Sequence, residues 1–154
     1  EDLCGEDVAR KLIILARELD INCEREDVQL ESLVPPALQH ITKDEFTERK
    51  HELTEHIKTK ESLCGEDEVL RYTGEVTWDD STQQYSLVAK VDRIPRFSPI
   101  GSLTSADCCF EIYTESYGDR PIVVQGAGAG VKVTARGVFG DVLRIAEGKI
   151  KHVL

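Results

Sequence analysis

Hydrophobic residues follow a helical spacing near the start of the chain, near its end and, more sparsely, over 43–61, and they alternate with polar residues in several of the segments between. Over 5–19, Val8, Leu12, Leu15 and Leu19 recur every three or four residues, which is typical of an amphipathic helix. Two acidic residues in the first turn suit the positive end of the helix dipole. The pattern therefore predicts a helix here, with one face buried.

A second helix, strongly charged, is predicted over 43–61. Thr42 and Glu45 stand three residues apart at its start, which is the spacing of a capping box. Its hydrophobic stripe is thin, so we expect the helix to lie on the surface with one narrow seam buried. The residues of this stripe are Phe46, Leu53 and Ile57.

Extended segments fill most of the remaining chain. Residues 27–34 predict a short strand that Pro35-Pro36 ends. A hairpin is predicted from Val69–Thr77 and Gln84–Val91, with 93–99 irregular after it. The later elements are predicted as strands over 108–114 and 121–125 and a helix over 133–147. This order predicts an α+β fold with a mostly antiparallel sheet covered on one face by helices.

Length and charge narrow the classes of function. The 154 residues suggest one domain, or one lobe of a larger protein. There are 19 Lys and Arg against 29 Asp and Glu, a net charge of -10, which disfavours a general nucleic-acid partner. No hydrophobic run approaches the length of about 18 residues that a membrane span needs. We therefore expect no nucleic-acid and no membrane partner.

The five cysteines and four histidines do not suggest a metal site. The cysteines are odd in number and lack a close C-x-x-C pair, and Cys108 and Cys109 are expected on opposite faces of a strand. His51 and His56 are five residues apart, a poor spacing for two ligands on one helix face. We expect solvated histidines, and free, mostly buried thiols in a reducing compartment.

Asp7 and Lys11 are four residues apart, which places them on one face of the first predicted helix. An ammonium held beside a carboxylate can act as a positioned proton donor. The spacing by itself equally suits an ordinary ion pair on a solvated surface.

The run Gly126-Ala127-Gly128-Ala129-Gly130 follows a predicted strand and precedes a predicted helix. Small residues there permit close backbone approach and positive φ, and the helix N-terminus offers unpaired N–H groups. A tight turn needed only for packing is the alternative. The run is not the G-x-G-x-x-G dinucleotide motif, because no glycine occupies the last position of that pattern.

Two stretches together resemble the homoserine dehydrogenase family. Residues 2–18 begin with DLCGEDVARK, which is similar to the family's D-L-x-G-x-D-V-A-R-K before a hydrophobic helix. Residues 125–143 begin with QGAGAG and are similar to the family's closing G-x-G-A-G-x-x-V-T-A-x-G-V run. Arg71-Tyr72 also matches. Val131 and Lys132 depart from the family's common Asn-Asp, and Arg136 from its common Ala.

The resemblance implies an oxidoreductase that reduces L-aspartate 4-semialdehyde to L-homoserine with NADPH or NADH, in threonine, methionine and isoleucine biosynthesis. Lys11 would be the catalytic proton donor. Asp2 and Asp7 would bind the substrate, and Asp7 would also hold Lys11. Gly128 and Gly130 would lie against the cofactor.

The resemblance also implies an organisation. Residues 1–154 would be the catalytic and dimerisation region, with substrate and sheet elements in 1–130 and a C-terminal helix in 131–154 that packs on a cofactor domain. That domain would precede this chain, so we expect the isolated chain to be inactive. The partners would be the substrate and a second copy joined through the sheet, in the cytoplasm or a plastid. The alternative is a non-catalytic or truncated relative that serves as a dimerisation or interaction module.

Overall fold

The computed structural model describes residues 2–148, except for the side chain of Asp2. The chain divides into two compact units, a first unit that ends at Arg96 and a second unit that begins at Phe97. Helices combine with mostly antiparallel strand pairs, so the predicted α+β class is confirmed. The strands form two separate sheets, whereas the pattern had suggested one.

The first unit contains three α-helices and three strands within its described residues. These are α1 (Glu6–Glu18), β1 (Val28–Leu30), α2 (Lys43–Glu48), α3 (Lys50–Glu61), β2 (Glu68–Asp79) and β3 (Gln84–Pro95). The helix predicted over 5–19 is thus confirmed as α1. The hairpin is confirmed as β2 and β3, and both strands are longer than predicted.

The charged helix predicted over 43–61 is interrupted at Arg49, where the backbone turns to φ -97° and ψ 9° and separates α2 from α3. The predicted capping box is present, since Glu45 N–H donates to Thr42 Oγ1 and Thr42 N–H donates to Glu45 Oε2. Neither helix has a fully buried residue. Without a buried face, little tertiary packing holds the two helices as one straight element.

The sheet of the first unit has the order β1-β3-β2. β2 and β3 pair antiparallel, whereas β1 runs parallel to β3 with Val28 opposite Leu87. A parallel neighbour needs a long crossover, and α2, α3 and β2 supply it. The prediction that 93–99 is irregular was wrong for its first residues, because Arg93 pairs with Leu70 and extends β3.

The hydrophobic core lies between α1 and this sheet. Gly74 of β2 allows the helix to approach closely, because a Cβ atom there would lie 3.0 Å from Leu12 Cδ2 and 2.9 Å from Val8 Cγ1. The core residues come from α1, the segment after it, β1 and β3. They are Ala9, Leu12, Ala16, Ile21, Cys23, Val28, Leu87 and Ala89.

The second unit contains β4 (Asp107–Ile112), β5 (Ile122–Ala127) and α4 (Val131–Ala146). β4 and β5 form an antiparallel pair in which Cys108 lies opposite Gly126. β5 therefore runs two residues into the glycine-rich segment, beyond its predicted end. α4 starts two residues before its predicted start.

The cysteines are all free thiols, but the prediction that most are buried was wrong. Cys23 is buried in the core, Cys4, Cys64 and Cys109 are half-buried, and Cys108 is exposed. The alternation of β4 puts Cys108 and Cys109 on opposite faces, as predicted. In the described part of the chain, no helix combines the length and the hydrophobicity needed to cross a bilayer.

Candidate functional site

The motif at residues 2–11 forms a corner between a short 3-10 turn (Asp2–Cys4) and α1. Gly5 occupies the corner with φ 86° and ψ 1°, a left-handed conformation that favours glycine. Its carbonyl accepts the first helical hydrogen bond, from Ala9 N–H at 3.0 Å. The corner therefore sets where α1 begins and which residues form its first turn.

Asp7 and Lys11 are brought together on α1, as their spacing predicts. Lys11 Nζ lies 2.7 Å from Asp7 Oδ2, and the side chains are 64% and 50% exposed respectively. The hydrogen bond from Lys11 lowers the pKa of the Asp7 carboxyl below its ordinary value. Asp7 is thus an anion at neutral pH, and it orients an ammonium group that points away from the core. This pair can deliver a proton to a substrate that approaches the exposed face of α1.

Glu6, next to Asp7, makes a separate ion pair that sequence reasoning missed. Its two carboxylate oxygens accept from Arg25 Nε at 2.8 Å and Nη2 at 2.7 Å. The two-pronged contact lowers the pKa of Glu6 and joins the first turn of α1 to the segment before β1. No sequence signal could have paired residues 19 positions apart in a chain this rich in charge.

A second contact that the sequence did not reveal lies at Gly5. A Cβ atom on Gly5 would overlap the hydroxyl of Tyr72 and lie 2.9 Å from its Cζ. Glycine is therefore required at position 5 for two reasons: its backbone conformation is left-handed, and the Tyr72 side chain leaves no room for a Cβ atom. The sequence had indicated Tyr72 only through the Arg71-Tyr72 pair, which matches the family resemblance, and had given it no role.

A cavity of about 660 Å³ opens beside the same corner. Leu3, Cys4 and Glu6 contribute to its walls, together with residues of β1 and the segments that follow. Neither Asp7 nor Lys11 lines it. The ion pair thus lies on the exposed helix surface, outside this cavity.

Gly128 and Gly130 belong to the second unit, in the segment between β5 and α4. A Cβ atom on Gly128 would overlap Cys108 Sγ, and Gly128 N–H donates to Ala106 O at 3.0 Å. Gly130 adopts φ 123° at the start of α4, and a Cβ atom there would meet open space. Gly128 is thus explained by packing within the unit, whereas Gly130 leaves the N-terminal end of α4 uncovered.

The remaining predicted site residue, Asp2, has its backbone in the 3-10 turn, and its side chain lies outside the described part of the structure. Among the described residues, no group of three or more His, Cys, Asp and Glu is arranged to hold a metal ion. His40 and His51 are exposed and His56 is half-buried. His152 lies outside the described residues.

A family model for homoserine dehydrogenase matches residues 1–143. The chain belongs to the homoserine dehydrogenase family. It is 38% identical over 148 residues to the chloroplastic bifunctional aspartokinase/homoserine dehydrogenase 1 of Arabidopsis thaliana. That match covers 95% of this chain and 16% of the relative. The resemblance inferred from residues 2–18 and 125–143 is thereby confirmed.

Two solved structures have a fold similar to that of this chain. A Candida auris protein of unknown function is 35% identical, with a TM-score of 0.74 over 95% of this chain and 40% of that chain. Staphylococcus aureus homoserine dehydrogenase is 17% identical, with a TM-score of 0.59 over 99% of this chain and 34% of its own. The chain therefore spans well under half the length of the relatives it matches.

Proposed function

We propose that this chain is the catalytic and dimerisation part of an NAD(P)-dependent homoserine dehydrogenase, which reduces L-aspartate 4-semialdehyde to L-homoserine. The observation that supports this best is the 2.7 Å ion pair of Lys11 and Asp7 at the start of α1. The pair lies within the segment that carries the family motif, and Lys11 would be its proton donor. The products would feed threonine, methionine and isoleucine biosynthesis.

Lys11 donates the proton in this proposal. When the nicotinamide cofactor is bound, it supplies the hydride that reduces the aldehyde carbon. The carbonyl oxygen becomes an alkoxide, and Lys11 Nζ protonates it to give the hydroxyl of homoserine. Lys11 is then reprotonated from solvent. Asp7 holds the amine in place and, with Asp2, binds the polar end of the substrate.

The segment before α4 fits the nicotinamide end of the cofactor in two respects. The space beside Gly130 is open, and the first turn of α4 presents backbone N–H groups without helical partners. Glycine backbone admits a flat ring more closely than any side chain would. Gly130, with Gly128 supporting the segment, would thus hold the ring.

A second copy of the chain is the partner we propose for the second unit. Ile122, Val123 and Val124 are consecutive in β5 and are all exposed, although alternate residues of a strand point to opposite faces. Apolar residues on both faces of a hairpin need a cover. We propose a homodimer through this sheet, with α4 packed on a cofactor domain.

These exposed faces also favour the alternative function, a non-catalytic dimerisation or interaction module. In that case the second unit would be retained for assembly, and the Lys11–Asp7 pair would be an ordinary surface contact. The two functions differ in what substitution of Lys11 does.

For the compartment, we propose the cytoplasm or a plastid. The free thiols suit a reducing environment, and the Arabidopsis relative is named chloroplastic.

The test is steady-state kinetics of Lys11→Ala in the natural full-length protein. We expect kcat to fall by about 10²-fold or more, the scale of a lost general acid, while the KM for cofactor stays near normal. Lys11→Arg keeps the positive charge but does not release a proton at neutral pH, so it should be nearly as impaired. Glu18→Ala, at the exposed far end of α1, is the control. Wild-type activity in Lys11→Ala would support the interaction module instead.

A further inference from the structure

The corner at Gly5 stands between the two residues proposed to bind substrate. Asp2 lies in the 3-10 turn before the corner, and Asp7 and Lys11 lie in the helix after it. A change in the corner would therefore alter the placement of Asp2 relative to the Asp7–Lys11 pair. Whatever supports Gly5 acts on the substrate site without being part of it.

Tyr72 supports this corner from beneath. Its hydroxyl and ring edge fill the space where a Gly5 side chain would stand, and Leu30 Cδ1 of β1 lies 3.3 Å from the same point. The hydroxyl donates a hydrogen bond of 2.7 Å to the carbonyl oxygen of Glu31. Burial raises the pKa of Tyr72, so the hydroxyl stays protonated and remains a donor at neutral pH.

Glu31 is itself held by two other elements. Its carboxylate accepts from Lys60 Nζ of α3 at 2.7 Å and from Val91 N–H of β3 at 3.3 Å. Tyr72 is thus bonded to a residue that joins β1, β3 and α3. A group anchored in this way is a rigid support, because several elements would have to move together for it to shift.

We propose that Tyr72 is a positioning residue for the substrate site, which sets the corner at Gly5 and so the relative placement of the 3-10 turn and α1. This inference rests on the proposed function. It assigns Tyr72 no contact with substrate or cofactor. Its effect reaches the reacting atoms only through Gly5 and the residues on either side of it.

The test is Tyr72→Phe in the natural full-length protein, which removes the hydroxyl and its bond to Glu31 but keeps the ring. Tyr85→Phe is the matched control, because Tyr85 is an exposed tyrosine of the same hairpin that packs on Trp78. We expect Tyr72→Phe to raise the KM for homoserine by about tenfold, since small displacements of binding groups are costly. The KM for cofactor should not change, which separates positioning from a general loss of structure.

Amide hydrogen exchange at Ala9 provides a second measurement that does not depend on activity. This N–H bonds to Gly5 O, so it should exchange faster in Tyr72→Phe and remain unchanged in Tyr85→Phe. If Tyr72→Phe matches Tyr85→Phe in KM and in exchange, the proposal is overturned.

A double-mutant cycle tests the contact between the two residues directly. Gly5→Ala should reduce kcat/KM less in the Tyr72→Phe background than in the wild type, because the overlapping hydroxyl is gone. Additive effects would contradict the proposal. If the wild-type protein shows no homoserine dehydrogenase activity, the proposed function fails. Faster Ala9 exchange in Tyr72→Phe would still support the inference that Tyr72 sets the corner at Gly5.

Discussion

The two units of this chain differ in how far their hydrophobic side chains are buried. In the first unit, one face of α1 is buried against a three-stranded sheet, and Ala9, Ala16 and Ala89 have no exposed surface. In the second unit, Gly101 is the one buried residue among 97–148. Its hairpin and helix are as hydrophobic as the first unit's elements, but their side chains face outwards. The difference is that the first unit buries a hydrophobic core of its own, whereas the hydrophobic side chains of the second unit are mostly exposed.

The physical reason lies in the number of layers. A two-stranded hairpin has little stability of its own in water, and a helix buries its apolar stripe only against another element. In α4 the exposed fraction of the residue is 62% for Phe139, 65% for Ile145 and 87% for Val131. The Lys11–Asp7 pair belongs to the first unit, which has its own core. The glycine segment proposed to contact the cofactor belongs to the second unit.

The largest expected effect is that of a core substitution. Leu12→Ala should lower the free energy of unfolding of the first unit by about 2–5 kcal/mol, because it leaves a cavity between α1 and the sheet. Val142→Ala in exposed α4 should cost less than about 0.5 kcal/mol in the isolated chain. Urea unfolding measures both. Equal effects would show that the second unit has a core of its own.

A charged residue in the β4-β5 sheet of the second unit should weaken the proposed homodimer. Val124→Asp places a carboxylate in the apolar surface proposed for the dimer, where burial without a partner weakens the complex on the order of 100-fold. Thr77→Asp, an exposed position of β2, is the control in the first unit. Sedimentation equilibrium gives the dimer dissociation constant. The same constant for both variants would remove the sheet from the interface.

A side chain at Gly130 should weaken cofactor use. Gly130→Val forces a branched residue into φ 123° and fills the open space at the start of α4, so we expect the KM for cofactor to rise by about tenfold. Gly118→Val is the control for a branched residue at a positive φ in the same unit, since Gly118 has φ 57° and also faces open space. If both variants lose cofactor equally, strain explains the effect and the segment is a packing turn.

The smallest expected effect concerns the Glu6–Arg25 pair of the first unit. Arg25 lowers the pKa of Glu6, so the stabilisation is full above the ordinary value of 4.5 and is lost as pH falls through the lower folded value. Because both side chains are more than a third exposed, we expect less than about 1 kcal/mol. The free energies of unfolding of Glu6→Gln and the wild type should differ at pH 7 and converge at pH values below the folded pKa of Glu6. A constant difference at every pH would contradict this.

Much of the fold followed from local pattern, because helices and hairpins join residues close in the chain. The spacing of Val8, Leu12 and Leu15 predicted α1, and the Thr42–Glu45 capping box predicted the start of α2. The break at Arg49 and the parallel pairing of β1 with β3 could not be predicted, since both depend on what surrounds the segment. The same limit explains why the predicted burial of the cysteines was wrong. Burial of a cysteine depends on a neighbouring layer, and Cys108 of β4 is exposed.

The candidate site divides in the same way. The sequence by itself determined that Asp7 and Lys11 meet on one face of a helix, because helical geometry requires it four residues apart. It also determined the family, through motifs whose residues are contiguous. Only the tertiary structure decided that Tyr72 occupies the space where a Gly5 side chain would stand and that Arg25 donates two hydrogen bonds to Glu6. These contacts join residues that are far apart in sequence, and packing of β1, β2 and α1 brings them together.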